Sequence, residues 1–148
     1  MHNPGGNTFR TDSVLRELAS SQPLRLRIQG DCMFPALKDG DAVMIRNRPI
    51  YWPGDILVFR GRKGQILIHR LLGFFPRRTK IDYLTKADAA INPDTSIPYQ
   101  QIIGKVEGIN GCSMLSHITL LQRLCAFGYF IRFIVIRMFA GRLFNGLR

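Results

Sequence analysis

Residue types able to cooperate in nucleophilic chemistry stand at points where the chain carries turn or strand signals. Cys32 lies in Gly30-Asp31-Cys32-Met33-Phe34-Pro35, His69 in the alternating run Gln65 to Leu72, and Asp88 and Asp94 in the Ala-rich, Asn-Pro-containing segment after Lys86. A thiol becomes a strong nucleophile when an imidazole takes its proton, and a carboxylate can orient and stabilise the imidazolium that forms. An unperturbed thiol, with a pKa of about 8.5, is already partly thiolate near neutrality, so cysteine needs less help from a base than serine does. Each residue also has a plainer reading. Cysteine is commonly a small buried apolar residue, a strand histidine a hydrogen-bonded cross-strand neighbour, and Asp94 of Asn92-Pro93-Asp94-Thr95 an Asx-turn residue.

Positioning such a set requires a framework, and the sequence predicts one made mainly of strands. Leu24, Leu26 and Ile28 alternate with Arg25 and Arg27, the two-residue period of a half-buried strand. Further strands are predicted at Ala42 to Arg46, Ile56 to Arg60, Gln65 to Leu72, Lys80 to Leu84 and Ile102 to Ile109. Gly, Pro, Asn and Asp turns bound each of them. The intervals are too short for parallel crossovers, so the domain is expected to be antiparallel. Residues Met1 to Arg10 read as a loose tail, and Thr11, Asp12 and Ser13 as N-caps for a short helix over Val14 to Ala19. The expected divisions are residues 1–22 for tail and short helix, 23–110 for the β-domain and 111–148 for an apolar, Arg-studded C-terminal helix.

A chain of 148 residues can hold one domain with a substantial core. Its 21 Lys+Arg against 10 Asp+Glu give a net charge of +11, which favours polyanions, whether anionic lipid or nucleic acid. No acidic residue follows Glu107, while Arg123, Arg132, Arg137, Arg142 and Arg148 stud the apolar tail. Arg132 and Arg137 would fall well inside a span of about 20 residues at about 2.5 kcal/mol or more each, which disfavours a simple transmembrane helix. Residues 118–148 are therefore expected to meet a membrane surface or to pack on the β-domain or a partner protein. Nucleic acid ranks last as a partner, because the segment before Leu24 is too short for a helix-turn-helix domain. Cys32, Cys112 and Cys125 form no Cys-x-x-Cys pair or zinc-ligand spacing, so no metal or organic cofactor is implied and a reducing compartment is the simpler assumption. Met1 to Gln22 lacks a secretory h-region. The expected location is cytoplasmic or peripheral to a membrane.

Several motifs occur in an order that resembles the signal peptidase I family. Gly30-Asp31-Cys32-Met33-Phe34-Pro35, followed by Gly40-Asp41, is similar to that family's small residue, serine, methionine, any residue, proline signature, with Cys32 in the serine's place. Pro53-Gly54-Asp55-Ile56-Leu57-Val58-Phe59 and Ile68-His69-Arg70-Leu71 resemble its Gly-Asp-Ile-Val-Val-Phe and His-Arg-Val strands. Tyr83-Leu84-Thr85-Lys86-Ala87-Asp88, running on to Asp94, resembles its Leu-Thr-Lys-Gly-Asp-Asn-Asn box, and Ile102 to Val106 its closing strand. The likeness covers about Leu24 to Val106 and points to the branch with a histidine base.

The resemblance implies an endopeptidase of signal-peptidase-like fold that cuts a leader or signal segment from a peptide or protein bound in extended form. Cys32 would be the nucleophile, His69 the base, Asp94 or Asp88 its orienting carboxylate, and the Cys32 N–H part of an oxyanion hole. Met33, Phe34 and Pro35 would contact the substrate. The N-terminal anchor usual in signal peptidases is missing from this sequence. Asp31 stands where a small residue is usual, and Ala87, Ala89 and Ala90 replace the box's glycine and asparagines. The alternative is a catalytically silent module that keeps the peptide-binding groove.

Overall fold

Alternating apolar side chains need a sheet with covered faces, and the chain forms one. The computed structural model describes residues 4–76, 80–113 and 120–145. Its strands are β1 (Leu24–Arg27), β2 (Ala42–Arg46), β3 (Ile56–Arg60), β4 (Ile66–Pro76), β5 (Ile81–Lys86), β6 (Ile97–Pro98), β7 (Ile102–Ile109) and β8 (Cys112–Ser113). Helices α1 (Pro4–Ser21) and α2 (Leu120–Asn145) flank them. The strand order is β1-β2-β7-β3-β4-β5-β6, with β8 on β7, and every described pairing is antiparallel. The expected mainly β, antiparallel architecture with a helix at each end is therefore present.

Strand β3 shows how the sheet is buried. Ile56 and Val58 join one cluster with Ile28, Met33, Leu37, Val43, Ile45, Ile103 and Val106. Leu57 and Phe59, one residue out of phase, join Tyr51, Leu71, Tyr83, Ile97 and Ile102 in a second cluster. Both faces of β3 are thus covered, which explains its continuous apolar run.

The N-terminal expectation needs correction. Residues from Pro4 onward are helical, so α1 is longer than the predicted Val14 to Ala19 and most of the predicted loose tail belongs to it. Asp12 is not an N-cap; it is 4% exposed and bound to Arg60 Nε at 2.5 Å. Leu15 packs on the first cluster, Ala19 is fully buried, and Arg16 donates to the carbonyls of Ile102 and Gln100. These tertiary contacts anchor the second half of the helix to the sheet. Other boundaries shift less: β4 runs on to Pro76, β5 to Lys86, and the two-residue strands β6 and β8 were not predicted.

Helix α2 docks through one face. Ala126 and Phe130 form a third cluster with Leu72 of β4 and Leu84 of β5, joined by Phe75, Phe133 and Ile134. Gly73 permits this approach, because a Cβ there would lie 2.5 Å from the Phe130 ring. Near the start of the helix, Arg123 donates to Asp55 (3.4 Å), a carboxylate 1% exposed that also accepts from Trp52 N (3.0 Å) and Lys105 Nζ (3.3 Å). Gly54, at φ +94°, lies against the Arg123 backbone and stem. Farther along, Tyr129 Oη donates to the Ile91 carbonyl at 2.9 Å. Among the described residues no helix is long and apolar enough to cross a membrane.

Gly73→Ala is expected to cost about 1–3 kcal/mol by overpacking against Phe130. Phe130→Ala in the same chain should recover part of that cost, as a double-mutant cycle of equilibrium urea unfolding would measure. Strictly additive losses would contradict this packing.

Candidate functional site

The alternation of β4 places His69 and Arg70 on opposite faces of the sheet. His69 sits opposite Leu57 in register, 8% exposed, with its ring edge-on to Phe59 at 5.7 Å between centroids. Its Nδ1 lies 2.6 Å from Asp94 Oδ2. The same oxygen accepts from Thr85 Oγ1 at 2.8 Å, and Asp94 N donates to Thr85 O at 2.7 Å. Asp94 is therefore fixed by its side chain and by its backbone. An ionised carboxylate can only accept, so Nδ1 carries the proton and Nε2 is the nitrogen left for proton transfer.

Arg70 takes the other aspartate. Its Nε and Nη2 bind Asp88 Oδ1 and Oδ2 at 2.8 and 2.6 Å, and its Nη1 donates to Gly54 O at 3.0 Å. The choice that the sequence left open between Asp88 and Asp94 is thus made by the sheet: Asp94 meets the imidazole, and Asp88 meets a guanidinium on the opposite face.

Cys32 is carried by the turn between β1 and β2. Ile28 N donates to Asp41 O (2.8 Å) and Gly40 N to Ile28 O (3.1 Å), closing the base of this turn. Within it, Asp39 Oδ1 accepts from Gly30 N (2.7 Å) and Asp31 Oδ1 from Asp39 N (3.2 Å). Asp41 accepts from Lys38 N (2.9 Å) and from Asn110 Nδ2 (2.9 Å), and these bonds hold its carboxyl below the usual range. Met33 and Leu37, 1% and 0% exposed, root the turn in the core.

The edge of β4 explains where the sulfur sits. Strand β5 pairs with β4 only from Arg70 onward, so Ile66 to His69 have β3 on one side and no β5 partner on the other. Cys32 and the loop after β5 occupy that stretch: Cys32 Sγ faces the Ile68 carbonyl oxygen at 4.0 Å, and Ala89 N donates to Cys32 O at 3.0 Å. Cys32 itself is exposed. No hydrogen bond joins Sγ to His69 among the described residues. Partial burial pushes the thiol pKa up, its own backbone N–H pulls it down, and the charges of Asp94, Asp31 and Asp88 push it up again. The net shift is upward, so the resting group is held as a thiol.

The remaining expected site residues divide. Phe34 (54% exposed) and Pro35 lie on the surface beside Cys32, whereas Met33 belongs to the core and not to a surface that a substrate touches. Lys86, another side chain in this region able to act as a base, donates from Nζ to Ala87 O at 3.2 Å and lies over the Tyr129 ring, so it does not pair with the thiol. The other two histidines of the sequence, His2 and His117, lie outside the described residues. Sequence reasoning did not single out Thr85 or Phe59. Their strand phase was the available signal, since each falls on the same face as His69. Among the described residues no group of three or more His, Cys, Asp or Glu side chains is placed to hold a metal ion.

No protein-family model matches the chain, and no curated protein matches it either.

The upward shift of the Cys32 thiol sets a direction that can be measured. The iodoacetamide alkylation rate should rise with pH to a half-maximum above that of a free thiol. Asp31→Asn, which removes one of the opposing charges, should raise the rate at neutral pH by a few-fold. An unchanged or slower rate would contradict the electrostatics described.

Proposed function

We propose that the protein is a thiol endopeptidase with a signal-peptidase-like catalytic domain, acting on a leader or signal segment bound in extended form. The observation that carries this reading is the contact between His69 Nδ1 and Asp94 Oδ2, buttressed by Thr85, beside an exposed cysteine at the same stretch of β4. The order of motifs from Leu24 to Val106 supports it. So does the antiparallel sheet, whose unpaired strand edges suit recognition of an extended peptide.

In this mechanism the substrate brings Sγ and Nε2 into register, since catalytic hydrogen bonds are often long before substrate binds. His69 Nε2 takes the thiol proton as Sγ attacks the scissile carbonyl carbon, and the Cys32 N–H stabilises the oxyanion. Collapse breaks the C–N bond, and the imidazolium returns its proton to the leaving amine. Water, deprotonated by His69, then attacks the thioester. The acid product leaves, and Cys32 regains its proton. Asp94 keeps Nδ1 protonated and stabilises the imidazolium throughout. Asp88 is a structural partner of Arg70 and takes no part in proton transfer.

A second reading, a silent peptide-binding module, is favoured by two observations: the thiol pKa is raised, and the sulfur faces Ile68 O instead of the imidazole. Mutagenesis separates the two. Under the enzyme reading, Cys32→Ala abolishes cleavage in a peptide library, His69→Ala lowers it by about 10²–10⁴-fold, and Asp94→Asn lowers it less. His69→Ala should also slow alkylation of Cys32, while Asp88→Asn, which removes an opposing charge, should not slow it and should lower thermal stability. Cleavage that survives Cys32→Ala, or alkylation indifferent to His69, would remove the enzyme reading.

A further inference from the structure

Helix α2 is apolar on nearly every side, a pattern that calls for cover on more than one face. Among the described residues, the sheet covers the face bearing Ala126 and Phe130. On the opposite side Leu120, Leu121, Leu124, Phe127, Ile131 and Val135 are between 44% and 74% exposed. Leu120, Leu124, Phe127, Ile131 and Val135 recur at helical spacings of four, three, four and four residues, so they form one continuous stripe. A stripe of this size marks an interaction surface.

Charge selects what covers it. The helix carries no acidic residue, and none follows Glu107 in the chain. Arg132 is exposed on the outward side of α2, and its long stem allows the guanidinium to reach past the apolar stripe. A second copy laid on the same stripe would oppose cation to cation, with no carboxylate on either helix to pair with. A surface of lipid phosphates supplies the missing anions, and acyl chains cover the leucines. Because the sheet occupies the other face, the helix would lie along such a surface, embedded to about 5–10 Å.

We infer that the outward face of α2 binds an anionic lipid surface. The inference stands apart from the peptidase reading, because it uses no residue of the Cys32–His69–Asp94 set. It is tested by co-sedimentation of the full chain with phosphatidylcholine vesicles, with and without phosphatidylglycerol. The expected result is partitioning that increases with phosphatidylglycerol and weakens with salt. Leu121→Asp with Leu124→Asp should lower it by at least about tenfold, and Arg132→Gln should reduce only the part that depends on phosphatidylglycerol, by about fivefold. Circular dichroism of each variant should match the parent, and Cys32→Ala should bind as the parent does. Absence of binding, or binding indifferent to the paired leucine substitutions, would overturn the inference. So would a lipid-free dimer that those substitutions dissolve, since it would assign the stripe to a second copy.

Discussion

The contact between His69 Nδ1 and Asp94 depends on a constraint set several residues away, the pleat of β4. Successive side chains on a strand must point to opposite faces. With His69 and Arg70 adjacent, the loop after β5 has to serve both faces at once, and it does so with two aspartates six positions apart. Asp88 closes on the guanidinium and Asp94 on the imidazole. A slip of one residue in the pairing of β4 would exchange the two faces and place Arg70 where the imidazole stands. The buried contacts of Leu57, Phe59 and Leu71 on one face, and of Ile56 and Val58 on the other, oppose such a slip.

The thiol and the imidazole are held to different degrees. His69 is packed against Phe59 and clamped by a carboxylate that is itself bonded to Thr85. Cys32 is fixed through its backbone, by Ala89 on its carbonyl and by Met33 next to it in the core, while its side chain stays at the surface. Such a division would suit the nucleophile proposed above, which would have to rotate between a resting contact and a carbonyl carbon. The three nearby aspartates penalise a bare thiolate, so ionisation is best coupled to formation of a neighbouring cation.

Much of this was legible in the sequence. The boundaries of β2, β3 and β7 follow from short strand-forming runs bounded by Gly, Pro, Asn and Asp turn residues, Gly40-Asp41 and Gly54-Asp55 among them. Cys32, His69 and Asp94 stand out by residue type and motif order. What was not legible depended on contacts distant in the chain. The docking of α1 through Asp12, Leu15, Arg16 and Ala19 is of this kind, and local helix propensity does not register it. The separation of Asp88 from Asp94 required the pairing of β4 with β5, and Thr85 became meaningful only once that register placed it on the imidazole's face. Met33 was ambiguous for a related reason: an apolar residue beside a nucleophile can line a cleft or fill a core, and only burial distinguishes the two.

The segment from Ala87 to Asp94 touches four parts of the molecule: Ala89 the Cys32 carbonyl, Asp88 Arg70, Asp94 the imidazole, and Ile91 the Tyr129 hydroxyl of α2. One short span of backbone therefore joins the outer helix to the reactive groups. Were a ligand at one of these places to change the conformation of the span, linkage would require its affinity to shift with occupancy of the other place by a factor equal in both directions.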